Sequence, residues 1–268
     1  MNELDKYFDD FNKKVEEPKG FDYLLGWIKT YPITALLFII AIFLFIAVEY
    51  YATFEYSKYP DYVAEYLAIV KTGGVLGGPA QVLIWEGDIW RIFVNLFHHG
   101  SLMHIFFNLY ALYIFGSFSE KFLGKVKYIV FIILCGIFQQ ISCQLTIEPG
   151  AIGLSGIIFG LFGLLWMVKP LDPTIEKFMT PELIKLMLVQ LVIFIPLTYF
   201  NFINIANVGH ISGLVYGVLF GYIFFRKPTP LLLTILVLSH ILILPSLFYI
   251  YKPIYNPEWK KWSQQKHY

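Results

Sequence analysis

The chain has 268 residues, of which 57% are hydrophobic and 15% charged, with a formal net charge of +1. Soluble domains carry about a quarter charged residues, so this composition and a mean hydropathy of +0.63 place the chain in the membrane class. So small a net charge leaves no basic field for nucleic acid.

Residues 1–31 are mixed in charge and polar, with neither the basic start nor the small-residue cleavage site of a signal peptide. They are expected to form a cytoplasmic extension, ending in a short amphipathic helix ("FDYLLGWI") on the membrane surface. Seven apolar runs then approach bilayer length, roughly 17 to 25 residues. They are Ile33 to Val48, Ser101 to Phe118, Tyr128 to Ile147, Ala151 to Val168, Leu183 to Phe200, Ala206 to Phe225 and Leu231 to Tyr251. An odd number puts the termini on opposite sides. With the N-terminus inside, thirteen of the 20 Lys and Arg residues fall on the inner side, so the positive-inside rule favours N-in, C-out. The loop 49–100 is long enough to have a structure or task of its own. Cys135 and Cys143, eight residues apart on one helix, are separated by roughly 12 Å, too far for a disulfide; they read as small core residues.

Polar groups within spans are the functional suspects, because each costs energy unless paired. The acidic residues lie outside the runs or at their ends, which excludes chemistry by paired intramembrane carboxylates. No HExxH is present, which argues against a zinc protease; no metal or other cofactor is expected. Glu120 reads as an inner-loop cap. His99 reads as a brace for the first loop, and His240 as a structural hydrogen bonder.

Three clusters remain. "SLMHIFFNL" opens the second run with His104 and Asn108 at i and i+4, on one helical face. "GLSG" opens the fourth and carries Ser155, about four residues or 6 Å into the run. "NVGHISGLVYGVLFG" opens the sixth and carries His210. In the N-in topology all three run outside to inside, so the four polar residues share one depth near the outer leaflet. Gly156, Gly160 and Gly163 on one run and Gly209, Gly213, Gly217 and Gly221 on the other are small-residue stripes that let two membrane helices meet closely. If they face each other, Ser155 comes within reach of His210, and a histidine beside a serine makes the hydroxyl a nucleophile. With no acidic third member this is a dyad. The Ser155 backbone N–H, His104 and the Asn108 amide are candidate oxyanion donors.

Trp90-Arg91, "HHGSLMHIFFN", "GLSG" and "GHISGxxxG", in this order, resemble the rhomboid intramembrane serine proteases over roughly residues 49–225. The resemblance implies an all-α polytopic fold. A six-helix core (32–226) would be followed by a seventh helix (227–251, the "6+1" arrangement) and an outer tail (252–268), with the N-terminus cytoplasmic. It implies Ser155 as nucleophile, His210 as general base, and His104 and Asn108 in the oxyanion hole. Gly153, Gly156, Phe159 and Gly213 would pack the active site. Trp90 and Arg91 would anchor a membrane-embedded first loop (49–100), and the fifth span would be a lateral gate. Phe159 stands where many members have Tyr and keeps the ring that packs on the base. Ser212 replaces the usual Ala and is expected to bond backbone. The implied partners are single-span or polytopic membrane protein substrates in a lipid bilayer, and the expected location is a bacterial inner membrane. Two rivals are a catalytically silent rhomboid relative that binds membrane clients, and a channel or transporter using His104, Asn108 and His210 as a polar path. The presence of both Ser155 and His210 argues against the first, and the lack of intramembrane carboxylates against the second.

Overall fold

The computed structural model describes residues 20–54, 91–144, 151–203 and 205–226, with residues 230 and 234 singly. Every regular element among them is helical: α1 (Phe21–Thr30), α2 (Pro32–Phe54), α3 (Arg91–Phe97), α4 (Leu102–Ala111), a π-helical turn (Leu112–Gly116), α5 (Ser117–Leu123), α6 (Lys125–Gln144), α7 (Ser155–Val168), α8 (Pro173–Phe178), α9 (Pro181–Tyr199) and α10 (Asn207–Phe225). The seventh run apart from Thr234, together with His240, Trp90 and most of the long first loop, lies outside the described residues.

Four helical stretches are long and apolar enough to cross a membrane: Leu102–Leu123, Lys125–Cys143, Pro181–Tyr199 and Asn207–Phe225. A fifth is counted if α1 and the first part of α2, bent by 114° between them, are one broken span. Local chemistry sets the ends. The Ser101 hydroxyl accepts from His104 N–H and starts α4. Thr180 accepts from Leu183 N–H, ahead of Pro181 at the first position of α9. Gly124, at φ 73°, turns the chain between α5 and α6.

The run expected as a span from Ala151 differs. Helix α7 starts at Ser155 and has 14 residues, about 21 Å against a hydrocarbon core of about 30 Å. Gly153, at φ 98°, breaks the backbone two residues earlier, so Ser155 opens the helix and does not lie a turn inside it. The short helix is enclosed by its neighbours, and its closest partner is α10. Leu161, Phe162, Leu164 and Leu165 are fully buried in the core, with Phe131 and Tyr216.

Glu120 also departs from its expected place. It is buried, and its carboxylate accepts from Ile33 N–H at 3.0 Å, Thr34 N–H at 2.7 Å and the Thr34 hydroxyl at 2.7 Å. It thus caps the N-terminus of α2 from another helix, where the helix dipole favours a negative charge.

Candidate active site

The glycine stripes of α7 and α10 face each other. A Cβ at Gly213 would overlap the Gly156 carbonyl, and one at Gly217 would overlap that of Gly160. One at Gly163 would lie 2.6 Å from Leu214 O. Backbone meets backbone along this seam, which no side chain larger than hydrogen permits.

At the N-terminal end of both helices the seam brings His210 Nε2 to 2.7 Å from Ser155 Oγ. His210 is buried and Ser155 half-buried. For Nε2 to accept the hydroxyl proton, Nδ1 must carry the ring hydrogen. Among the described residues Nδ1 has no hydrogen-bond partner, so no described carboxylate orients this imidazole. Aromatic packing does so instead: the Phe159 ring stacks on it at 4.8 Å and 29°, and Phe194 of α9 stands at 6.0 Å and 49°. The Ser212 hydroxyl donates to Gly209 O at 3.2 Å, within its own helix.

The loop before Ser155 needs glycine. At Gly153, φ is positive and a Cβ would lie 2.7 Å from His104 Nε2. Gly153 N–H donates to Asn95 O at 2.9 Å, and Gln140 holds Ala151 O at 3.2 Å. His104 is thereby set against the turn that presents Ser155. Leu154 offers α7 no capping side chain, so the first-turn N–H groups, Ser155 among them, are not capped by their own N-cap residue. Asn108 lies one turn below His104. Its amide donates to His104 O at 2.9 Å, one hydrogen of the amide remains, and among the described residues its buried Oδ1 has no hydrogen-bond partner. His99 packs edge-on against His104 at 4.9 Å and bonds Phe97 O through Nδ1 at 2.9 Å. Burial, with His104 adding to it, pushes the His99 pKa down to about 3. A neutral His99 is a brace.

Three residues that the sequence motifs did not single out belong to this end of the bundle. Gln139 of α6 is wedged where α7 and α10 cross, with its Oε1 against both Gly156 and Gly209. Asn207 opens α10 and its amide reaches Phe194 O at 3.5 Å. Phe194 itself had no signal beyond being apolar. Gln139 and Asn207 had one, as uncharged polar residues in or beside a span. Among the described residues no group of three His, Cys, Asp or Glu comes together as metal ligands. Arg91 begins α3.

The comparisons with known proteins decide the family. The family model described as "Rhomboid domain" matches residues 86–227, just over half of the chain. The chain belongs to the rhomboid family. Proteins named "Rhomboid protease GlpG" from Salmonella paratyphi A, Salmonella newport and Salmonella typhi are each 30% identical to it over 157 residues, covering 54% of this chain and 55% of theirs. The chain thus spans about half the length of the curated relatives it matches. The rhomboid match covers α3 to α10, and with them Ser155, His210, His104 and Asn108. Family membership and the apolar helices make the chain a multi-pass membrane protein.

Proposed function

We propose that this rhomboid is an intramembrane serine endopeptidase that cleaves peptide bonds in or near transmembrane segments of single-span or polytopic membrane proteins. The observation that carries the reading is the 2.7 Å contact between His210 Nε2 and Ser155 Oγ. Ser155 Oγ attacks the scissile carbonyl carbon as its proton passes to Nε2. The oxyanion takes hydrogen bonds from the Ser155 N–H, with His104 and the remaining Asn108 amide hydrogen closing the hole. The imidazolium then returns its proton to the leaving amine, and His210 deprotonates the water that hydrolyses the acyl-enzyme. Stacking on Phe159 takes the orienting part that a carboxylate plays in a triad.

Gly153 and Gly156 hold the nucleophile's turn, and Gly213 the approach of the base helix. Trp90 and Arg91 anchor the first loop. The architecture that fits this reading is the 6+1 bundle, N-terminus inside, with the dyad toward the outer leaflet of a bacterial inner membrane. The residue ranges are a 1–31 extension, a 32–226 core, a 227–251 seventh helix and a 252–268 tail.

The test uses the full chain in detergent, a fluorophosphonate probe and a single-span substrate. Wild type is expected to label and to cleave. Ser155→Ala and His210→Ala are each expected to lose at least about a thousandfold in rate. Cleavage that persists in Ser155→Ala overturns the mechanism. Wild type that retains membrane clients and never labels would favour the silent client-binding reading.

A further inference from the structure

Helix α1 carries three distinct faces. Tyr23 and Trp27, one turn apart, dock it to the bundle at the end remote from Ser155. The Tyr23 and Tyr113 hydroxyls are hydrogen-bonded, and Trp27 Nε1 donates to Ser117 Oγ at 2.9 Å. The Trp27 ring packs against Tyr113 at 5.2 Å and Phe38 at 5.7 Å. At about 100° per residue, Phe21, Leu24, Leu25 and Ile28 fall in a second sector roughly 100° wide. Phe21 is 69% exposed and Leu24 47%. Asp22 and Lys29 share a third sector, within about 20° of each other by the same helical geometry.

The bend gives these faces a direction. Helix α1 turns 114° from the start of α2, so when α2 crosses the bilayer α1 lies close to its plane. Leu36, Ile39, Phe43 and Ile46 of α2 are exposed at alternating spacings of three and four, the stripe of a helix that faces lipid. An apolar face beside a charged one, on a helix parallel to the surface, fits the boundary between headgroups and acyl chains.

We propose that α1 is an interfacial anchor whose ligand is the lipid bilayer surface. Phe21, Leu24, Leu25 and Ile28 sink into the headgroup–acyl boundary, and Asp22 and Lys29 face water. Through Tyr113 and Ser117 the anchor holds the span that also carries His104 and Asn108, and so sets the depth of that span. The anchor is independent of the dyad chemistry.

The experiment uses the full chain in phosphatidylethanolamine–phosphatidylglycerol vesicles. Nitroxide labels are placed one at a time through Phe21→Cys, Asp22→Cys, Leu24→Cys, Leu25→Cys and Lys29→Cys. The native Cys135 and Cys143 are buried and stay unlabelled. Collision rates with oxygen and with a water-soluble nickel chelate read the depth of each label. Labels at 21, 24 and 25 are expected to favour oxygen several-fold over those at 22 and 29. Uniform access of the nickel chelate overturns the anchor. Shielding of 21, 24 and 25 from both reagents also overturns it, because a protein surface then covers the face. Leu24→Glu supplies a second reading: it is expected to raise nickel access at a label on Phe21→Cys, and no change there counts against insertion.

Discussion

Helices α7 and α9 are both largely apolar and have opposite surroundings. Eleven of the 14 residues of α7 are buried, against one, Met187, of the 19 in α9. The first is clasped by α10 through glycines, backbone on backbone. The second touches the bundle through Ile184, Met187, Leu188 and Leu191, and near the dyad through Phe194. Its outer face, with Leu186, Val189, Val192 and Ile193, is exposed. Ser155 thus sits on a helix whose position is tightly determined, and Phe194, which flanks His210, sits on a helix with a single buried residue. Preorganisation of a dyad demands the first. Under the function proposed above, admission of a substrate helix would use the second.

The comparison breaks most severely at the seam. Gly213→Leu places a side chain on the Gly156 carbonyl. It is expected to cost about 1–3 kcal/mol as overpacking and to abolish both fluorophosphonate labelling and cleavage by parting His210 from Ser155. Full labelling in this variant would show that the seam does not set the dyad. Next comes Gly153→Ala. A positive φ in a non-glycine residue and the approach to His104 Nε2 are together expected to cost about 1–3 kcal/mol and to lower the cleavage rate. Thermal unfolding in detergent and initial rates read both. Glu120→Ala strips three hydrogen bonds from the start of α2 while leaving the dyad alone. It is expected to destabilise by about 1–3 kcal/mol, seen as a lower unfolding midpoint, with labelling retained at low temperature.

Phe159→Leu removes the stacked ring and is expected to cost about 0.5–1.5 kcal/mol, appearing as a several-fold loss of labelling rate that Phe159→Tyr restores. The smallest effect belongs to the outer face of α9. Val192→Ala, on an exposed site, is expected to change stability by no more than about 0.5 kcal/mol and to leave labelling by the small probe unaltered. A large loss there would mean that α9 holds the dyad as the seam does.

Much of this was legible without coordinates. Long apolar runs are read from composition because a bilayer accepts little else. The runs that became α6, α9 and α10 lie within three residues of their helices at either end, and α2 outruns its own by six residues at the C-terminal end. Spaced glycines announce a close helix pair for the same kind of reason: they are costly unless a backbone lies against them. The serine and histidine at the ends of those stripes stood out as polar groups in apolar company. Departures appeared where a local signal had a non-local cause. Ala151–Leu154 is apolar enough for helix, but Gly153 takes a positive φ and the strand of chain before Ser155 is tied to Asn95 and Gln140. Glu120 looked like a loop residue because its partners, Ile33 and Thr34, lie some 86 positions away.

By itself the sequence determined the membrane class, most of the helical runs among the described residues, the glycine stripes and the set of polar residues able to do chemistry, since each follows from local spacing and from the cost of polarity in lipid. Tertiary structure alone decided which of those residues meet. It placed Ser155 at the first turn of a short enclosed helix, His210 under Phe159, and Asn108 against the carbonyl of His104. It also left α9 loosely held and folded α1 across the end of the bundle. Glycine stripes mark which helices can meet closely, but the angle and register of a crossing depend on contacts between distant segments, which local spacing does not set.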